Sequence, residues 1–154
     1  MTQAEEPRIT LEDIRKNVNS AGYFRLLDMQ VDAGEGGMGA VRVQVDERLM
    51  HAQQIVHGGV IFTLADTAMS MALIAALPPQ TRFSTIEAKI NYLAPVVTGE
   101  LSAEGTIVQR GRSIAVLEAT VYNHKDEEKM MVARTLATFH ISASKQTSAT
   151  KELQ

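Results

Sequence analysis

One long apolar segment limits what this chain can fold into more than any other feature. Residues 58–77 read GGVIFTLADTAMSMALIAAL, and Asp66 is the only charged side chain among these 20 residues. This length is sufficient to cross a bilayer. A carboxylate in the middle would cost a lone spanning helix about 2.5–3.5 kcal/mol, and the flanking residues lack aromatic anchors and clustered Lys and Arg. The segment therefore predicts a buried helix in a protein that does not enter the membrane.

The rest of the chain reads as short elements that surround this helix. Thr10 and Asp13 have the spacing of a capping box and predict a short helix over residues 10–18. The Pro78-Pro79 pair ends the apolar helix because proline supplies no amide. Alternating side chains between turn residues predict strands over residues 23–33, 40–45, 84–93, 101–108, 114–122 and 130–141.

Hairpin-linked strands and segregated helices predict an α+β fold with an antiparallel sheet. A helix that is apolar nearly all round needs cover on every side. A curved sheet covers one part of it, and a second subunit must cover the rest, so we expect a homo-oligomer. One domain is expected over residues 1–142, followed by a loose polar tail over residues 143–154.

Charge and composition exclude several classes of function. Lys and Arg number 15 against 18 Asp and Glu, which gives a net charge of −3 and a pI near 5.8. Nucleic-acid binders held by bulk charge are instead strongly basic. The chain has no cysteine, so disulfides and thiolate catalysis are excluded. The polar start of the chain has no apolar run typical of a signal peptide, which predicts a cytoplasmic protein.

Motifs that often indicate cofactors lack the required context. Residues 34–39 (GEGGMG) match G-x-G-x-x-G, but a dinucleotide site needs a strand before the motif and a helix after it. Here an alternating strand follows, so we interpret the run as a turn between strands. None of the four histidines has the i,i+4 partner of a helical zinc site. No metal and no cofactor are expected.

The start of the apolar helix is a candidate site for an oxyanion. Gly58 and Gly59 follow His57, and glycines at a helix start leave free N–H groups that a ligand can approach closely. Removing one such donor in an acyl-transfer site costs about 2.7–4 kcal/mol of transition-state stabilisation. The alternative is that the glycines only let the loop turn while His57 satisfies the exposed amides, and the motif alone favours neither.

Asp66 is the second candidate. A buried carboxylate without a partner is costly and has its pKa raised by burial, so isolation on an apolar helix favours a functional role. The alternative is a structural hydrogen bond to a strand residue such as Thr85. Asp66 lies nine residues past His57, about 13 Å along a helix axis, which is too far for both to serve one reacting carbon. If both act, they meet across a two-fold axis between subunits.

Three motifs resemble one known family. HGGVIFTLADTAMSMAL (residues 57–73), INYLAP (residues 90–95) and the GRS turn (residues 111–113) are similar to those of the PaaI-type hotdog acyl-CoA thioesterases. The resemblance extends over about residues 23–142. It implies a hotdog fold, in which a curved antiparallel sheet wraps a long central helix, and homodimers often paired into tetramers. It also implies hydrolysis of an acyl-CoA, with phenylacetyl-type, benzoyl-like and medium-chain acyl groups all left open.

The same resemblance implies roles for the catalytic candidates. Gly58 matches the backbone donor that polarises the thioester carbonyl, and His57 matches the histidine beside the sulfur. Asp66, from the facing subunit, matches the acid that activates or orients water, or attacks directly. Thr85 matches a hydroxyl residue that helps to hold the water.

Substrate-binding residues follow from the resemblance in the same way. Gly111, Arg112 and Ser113 match residues that contact the CoA moiety, although an ordinary charged hairpin tip is the alternative for Arg112. Gly59, the second glycine of the helix start, is assigned to substrate binding.

The chain departs from the family pattern at two positions. Relatives have Asn six residues before the HGG histidine and Gly three residues before it, where this chain has His51 and Gln54. His51 can donate a hydrogen bond in place of Asn, and Gln53 or Gln54 can substitute after a loop shift. A weakened or retuned site is the alternative.

Two other functions stay open on the sequence. A non-catalytic module that binds or senses acyl-CoA would fit the missing Asn, although Asp66 argues against it. An enoyl-CoA hydratase would fit the D-x4-H spacing of Asp46 and His51, but residues 47–50 lack the Asn-Pro expected between them.

Overall fold

The apolar segment forms the longest helix of the structure. The computed structural model describes residues 10–33 and 36–142. In chain order its elements are α1 (Leu11–Asn19), α2 (Gly22–Leu27), β1 (Gln30–Ala33), β2 (Met38–Gln44), a single turn of 3₁₀ helix (Glu47–Leu49), α3 (Gly58–Ala76), β3 (Arg82–Tyr92), β4 (Glu100–Arg110), β5 (Ile114–Lys125) and β6 (Glu128–Ser142). The predicted tail over residues 143–154 and the first two residues of the GEGGMG run lie outside the described residues.

One antiparallel sheet covers α3. Its six strands lie in the order β1-β2-β4-β5-β6-β3, and every neighbouring pair is antiparallel. The loop predicted between the last two strands is a two-residue turn. Asp126 and Glu127 both have left-handed backbone, with φ of 50° and 66°, as a tight hairpin requires. The predicted α+β architecture, a central helix with a curved antiparallel sheet, is confirmed.

The prediction of a strand over residues 23–33 is wrong in its first half. Helix α2 occupies that half, and β1 begins only at Gln30. Phe24 and Leu27 pack against the core, and their separation of three residues places them on one side of a helix. Asp28 then ends α2 with left-handed backbone (φ 50°). Apolar residues that looked like an irregular strand are therefore one face of a short helix.

Helix α1 begins with the predicted capping box. The Asp13 amide donates a hydrogen bond of 3.1 Å to the Thr10 hydroxyl, and the Thr10 amide donates one of 3.1 Å to the Asp13 carboxylate. Hydrogen bonds from the Thr10 hydroxyl and amide hold the pKa of Asp13 below its ordinary value. The cap therefore favours the charged carboxylate at the positive end of the helix.

Two paired glycines let the sheet approach α3 closely. Gly39 of β2 and Gly105 of β4 are direct partners in the ladder. A Cβ on Gly105 would lie 2.5 Å from the backbone carbon of Ala68 and the backbone nitrogen of Met69, and one on Gly39 would collide with the Ala68 carbonyl. Ala68 and Ala72, one turn apart, are completely buried. Small residues on both elements therefore set the distance between helix and sheet.

The face of α3 opposite the sheet is only partly covered. The buried side chains of α3 belong to Ile61, Leu64, Ala65, Ala68, Met69, Met71, Ala72 and Leu73. The half-exposed side chains include those of Phe62, Thr63, Asp66, Thr67, Ser70 and Ile74, which recur at helical spacing along one side. The helix is long and apolar enough to cross a membrane, but here its buried side forms the core with the sheet. We call the half-exposed side the open face of α3.

The glycine contact predicts a stability effect. Gly105→Ala should destabilise the fold by about 1–3 kcal/mol, because the added methyl group has to displace the α3 backbone. Urea denaturation followed by circular dichroism measures the free energy of unfolding. Gly22→Ala is the control, since nothing lies within 4 Å of a Cβ at Gly22, and its stability should be unchanged or slightly higher. Equal stabilities for the two variants would contradict the close approach of helix and sheet.

Candidate active site

The first turn of α3 is organised around the His57 side chain. His57 is the N-cap residue, and its Nδ1 accepts a hydrogen bond of 2.9 Å from the Gly59 amide. A neutral imidazole whose Nδ1 is an acceptor carries its proton on Nε2, so Nε2 is a donor. A Cβ on Gly59 would lie 2.9 Å from Nδ1. Glycine is therefore required at this position for the ring to cap the helix.

Tyr92, at the end of β3, contacts the same turn. Its hydroxyl donates a hydrogen bond of 3.1 Å to the Gly58 carbonyl, and its ring atoms would lie 3.2–3.3 Å from a Cβ on Gly58. The peptide unit between Gly58 and Gly59 thus accepts from Tyr92 at its oxygen and donates to His57 at its nitrogen. Hydrogen bonds in such a chain polarise one another. Tyr92 was not among the residues predicted for the site, and its place in the INYLAP motif is the only sequence signal for it.

The Gly58 amide is the first of α3. The first amides of a helix have no acceptor inside the helix, and they lie at the positive end of its dipole. An oxygen with partial negative charge is the ligand that such an amide favours. Gly58 is half-buried and its two neighbours are exposed, so a ligand can approach this turn.

His51 lies beside this turn in the loop before α3. Its Nδ1 accepts a hydrogen bond of 3.0 Å from the Gln53 amide, so the neutral ring carries its proton on Nε2. The ring centroid lies 6.4 Å from that of His57, edge to face. Gln54 has left-handed backbone, with φ of 61°, a conformation that glycine adopts without strain. The two positions that depart from the family pattern therefore lie in one short turn next to His57.

Asp66 lies on the open face of α3 and is held by a strand. The Thr85 hydroxyl of β3 donates a hydrogen bond of 2.8 Å to Asp66 Oδ1. This is the contact that the sequence indicated as the structural alternative to a functional role, so the contact by itself does not decide between the two. Asp66 is half-buried rather than buried, because the sheet covers the opposite side of the helix. Burial of this carboxylate stays a prediction, because it depends on whether a second chain covers the open face.

The structure does not bring Asp66 next to the first turn of α3. Asp66 follows His57 by nine residues, which span about 13 Å along the helix axis. A general base must lie within about 3 Å of the group it deprotonates, or one water away. One chain therefore holds two separate halves of the predicted site.

The residues predicted to contact CoA form a third cluster. Gly111, Arg112 and Ser113 connect β4 to β5, beyond the C-terminal end of α3. Arg110, Gly111, Arg112, the segment after α3 and the end of β6 line a cavity of about 340 Å³. Arg110 donates a hydrogen bond of 2.9 Å to the carbonyl of Ala76, the last residue of α3, where a cation is favourable for the helix dipole. Arg112 is exposed.

Asp46 has a structural role that leaves little support for the hydratase interpretation. It accepts hydrogen bonds from the Arg48 amide at 2.8 Å and from the Arg48 guanidinium at 2.6 Å. The Arg48 side chain and amide hold the pKa of Asp46 below its ordinary value. The carboxylate caps its own turn, so it is engaged before any substrate arrives. Across residues 10–33 and 36–142, no three His, Cys, Asp or Glu side chains form a group that could hold a metal ion.

Comparisons with known proteins point to one family. The model of the thioesterase superfamily matches residues 53–130, which contain both halves of the predicted site. A protein of Halobacterium salinarum named as an esterase is 30% identical over 118 residues, which cover 73% of this chain and 78% of that protein. The medium/long-chain acyl-CoA thioesterase YigI of Escherichia coli is 25% identical over 103 residues, which cover 58% of this chain and 64% of YigI.

Solved structures have the same fold. A thioesterase of Haemophilus influenzae superposes with a TM-score of 0.81 at 24% identity, covering 93% of this chain and 97% of that one. The PaaI protein of the Escherichia coli phenylacetic acid degradation operon superposes with a TM-score of 0.75 at 19% identity, covering 86% and 93%. At these identities the likeness concerns the fold alone. It confirms the hotdog fold that the motifs implied.

The capping contact predicts the tautomer of His57. In the native protein, ¹⁵N NMR of the neutral imidazole should show the proton on Nε2. Gly59→Ala should abolish this preference, because its Cβ displaces the ring and removes the amide donor from Nδ1. Gly58→Ala is the matched control, since its Cβ meets the Tyr92 ring and not His57. An unchanged tautomer in Gly59→Ala would contradict the role assigned to the Gly59 amide.

Proposed function

The chain belongs to the thioesterase superfamily and is a thioester hydrolase, and we propose that its substrate is an acyl-CoA, which water cleaves to a free acid and CoA. The name of the YigI relative supports CoA as the thiol. Among the acyl groups left open by the sequence, a phenylacetyl-type group is one candidate and a medium-chain aliphatic group another. We infer a cytoplasmic location, where acyl-CoA substrates are made and used.

The Asp66–Thr85 contact is the observation that carries the mechanism. The Asp66 carboxylate lies on an otherwise apolar helix, and its Oδ1 accepts a hydrogen bond of 2.8 Å from the Thr85 hydroxyl. Its Oδ2 can then receive a proton from water. The water oxygen adds to the thioester carbonyl carbon as Asp66 takes its proton. The carbonyl re-forms as the carbon–sulfur bond breaks. The proton that Asp66 took from water goes to the sulfur, which leaves as a thiol while Asp66 becomes a carboxylate again.

The first turn of α3 supplies the groups that the developing charges need. The Gly58 amide donates to the carbonyl oxygen, which becomes an oxyanion when water adds. His57 lies beside the sulfur in this proposal and donates a hydrogen bond to it from Nε2 as the carbon–sulfur bond breaks, and the ring keeps its proton. His51, which also carries its proton on Nε2, takes the place of the family Asn as a second donor to the carbonyl.

We infer that the complete site forms between two chains. The separation of about 13 Å within one helix requires the Asp66 of one chain to face the Gly58 of another. Two features of the described chain support this arrangement. The open face of α3 needs cover, and β3 pairs with β6 on one side only, so its other edge is free for a second copy. We propose a homodimer, or a dimer of dimers, as the active form.

The cavity at the β4–β5 turn supports a role in binding CoA. Gly111, Arg112 and Ser113 contact the nucleotide part of CoA in this proposal, and guanidinium groups suit its phosphates. Gly59 and Gln54 lie near the first turn of α3 and contact the part of the substrate next to the thioester. No resident metal or cofactor enters the proposed reaction.

Asp66→Asn is predicted to lower kcat for acyl-CoA hydrolysis about 10²-fold or more, because the amide cannot accept the proton of the water. Release of free CoA from a panel of aromatic and aliphatic acyl-CoAs, followed with a thiol reagent, measures this. The chain has no cysteine, so the protein adds no background.

Asp126→Asn is the matched control, because this exposed carboxylate lies in the β5–β6 turn and its loss should not change kcat. Activity of Asp66→Asn close to that of the native protein would overturn the mechanism. Absence of CoA release across the whole panel by the native protein would overturn acyl-CoA as the substrate.

Mixed oligomers test whether the site is shared. Asp66→Asn and His57→Ala should each be nearly inactive alone. When they are co-expressed with different tags and purified through both tags, a site that combines Asp66 of one chain with His57 of the other should recover activity, up to about half of the native value per chain.

A site contained in one chain gives the opposite result, because every chain in the mixture then carries one defect. Continued inactivity of the doubly tagged oligomer would therefore contradict the intersubunit site. Native-protein oligomers that carry the same two tags are the control for effects of the tags.

A further inference from the structure

Helix α2 has apolar side chains on two sides. Phe24 and Leu27 pack against the core. Tyr23 and Leu26, also three residues apart, are 54% and 66% exposed. Packing in the core therefore explains the apolar side chains on one side of this short helix, but not those on the other side.

The exposed side of α2 lies beside the open face of α3. The Tyr23 hydroxyl and the Thr63 hydroxyl share a hydrogen bond of 2.9 Å. Thr63 precedes Asp66 by three residues, so the two side chains are neighbours on one side of α3, with Cβ atoms about 5–6 Å apart. Phe62 precedes Asp66 by four residues and is half-exposed on the same side. The Tyr23 side chain is therefore held by its polar end at Thr63, about one helical turn from the proposed catalytic carboxylate.

A second set of contacts holds α2 in this place. The Arg48 guanidinium is 2.7 Å from the carboxylate of Asp28, which ends α2, and 2.6 Å from that of Asp46. Arg48 lies in the segment that leads to His51 and to the first turn of α3. Helix α2 is thus tied at its start to the open face of α3 and at its end to the loop before α3.

From these contacts we infer that Tyr23 is a specificity-determining residue, whose ring bounds the space beside Asp66 that the acyl group occupies and so limits the length of the acyl group. This inference rests on the proposed function. The acyl group is joined to the carbonyl carbon that water attacks beside Asp66. The first carbons of the acyl group must therefore lie within a few ångströms of that carboxylate, and the contact with Thr63 holds Tyr23 about one helical turn away from it.

The inference predicts opposite effects for two substitutions. Tyr23→Ala enlarges the space for the acyl group. The ratio of kcat/KM for dodecanoyl-CoA to that for hexanoyl-CoA should therefore increase about tenfold, as expected when a pocket gains room for apolar atoms. Tyr23→Trp leaves less space for the acyl group and should lower the same ratio. Both substitutions are at an exposed side chain, so folded protein is expected, and circular dichroism checks this.

Leu136→Ala is the matched control. Leu136 is 51% exposed, similar to Tyr23, but it lies between buried residues of β6 and therefore points away from α3. Its chain-length ratio should equal that of the native protein. The molar mass of each variant in solution, measured by light scattering, shows whether the exposed side of α2 is instead a contact between copies.

Four results would be decisive. A raised ratio in Tyr23→Ala and a lowered ratio in Tyr23→Trp, at unchanged molar mass, support the inference. An unchanged ratio in both variants overturns it while the proposed function stands. A change in molar mass without a change in the ratio also overturns it and assigns this side of α2 to a second copy. If the native protein hydrolyses neither substrate nor any other acyl-CoA, the proposed function fails and this inference fails with it.

Discussion

The contact between α3 and the paired glycines Gly39 and Gly105 determines where the functional residues lie. Because neither glycine has a side chain, the sheet reaches the helix backbone at Ala68. The small-residue side of α3 is occupied by this contact, so Asp66 is directed away from the sheet centre and towards the edge strand β3. There Thr85 can donate to its carboxylate at 2.8 Å. A larger residue at the contact would move the helix and change that distance.

The side chains at the two halves of the candidate site are held in place by hydrogen bonds to specific neighbours rather than by deep burial. Hydrogen bonds to the Gly58–Gly59 peptide unit connect Tyr92 to His57 and determine which imidazole nitrogen carries the proton. Asp66 is half-exposed in the single chain. Within the proposed function, a second copy that covers the open face has to leave a path for water to this carboxylate, while the donors at the first turn of α3 are already held in place before the substrate binds.

The uncovered face of α3 and the separation of the two halves of the candidate site both follow from the way one chain folds around α3. The sheet of one chain covers only one side of α3, and a straight helix keeps His57 and Asp66 about 13 Å apart. Within the proposed function, a second copy would cover the open face and would bring the missing half of the site. Helix α2 supplies part of the cover from the same chain, and the inferred role of Tyr23 follows from its position at the border between α2 and the open face.

The sequence by itself determined the elements whose signals are local. An apolar run followed by Pro78 specifies α3, and period-2 alternation specifies most of the strands. Glycines next to His57 indicate a ligand site at the start of a helix. Tertiary structure alone decided which residues meet across long separations. Tyr92 contacts Gly58 across 34 residues and Tyr23 contacts Thr63 across 40, and both contacts depend on the packing of distant elements against α3, which no local pattern encodes. The half-burial of Asp66 and the helical form of residues 22–27 have the same origin, since each depends on which side of an element the core occupies.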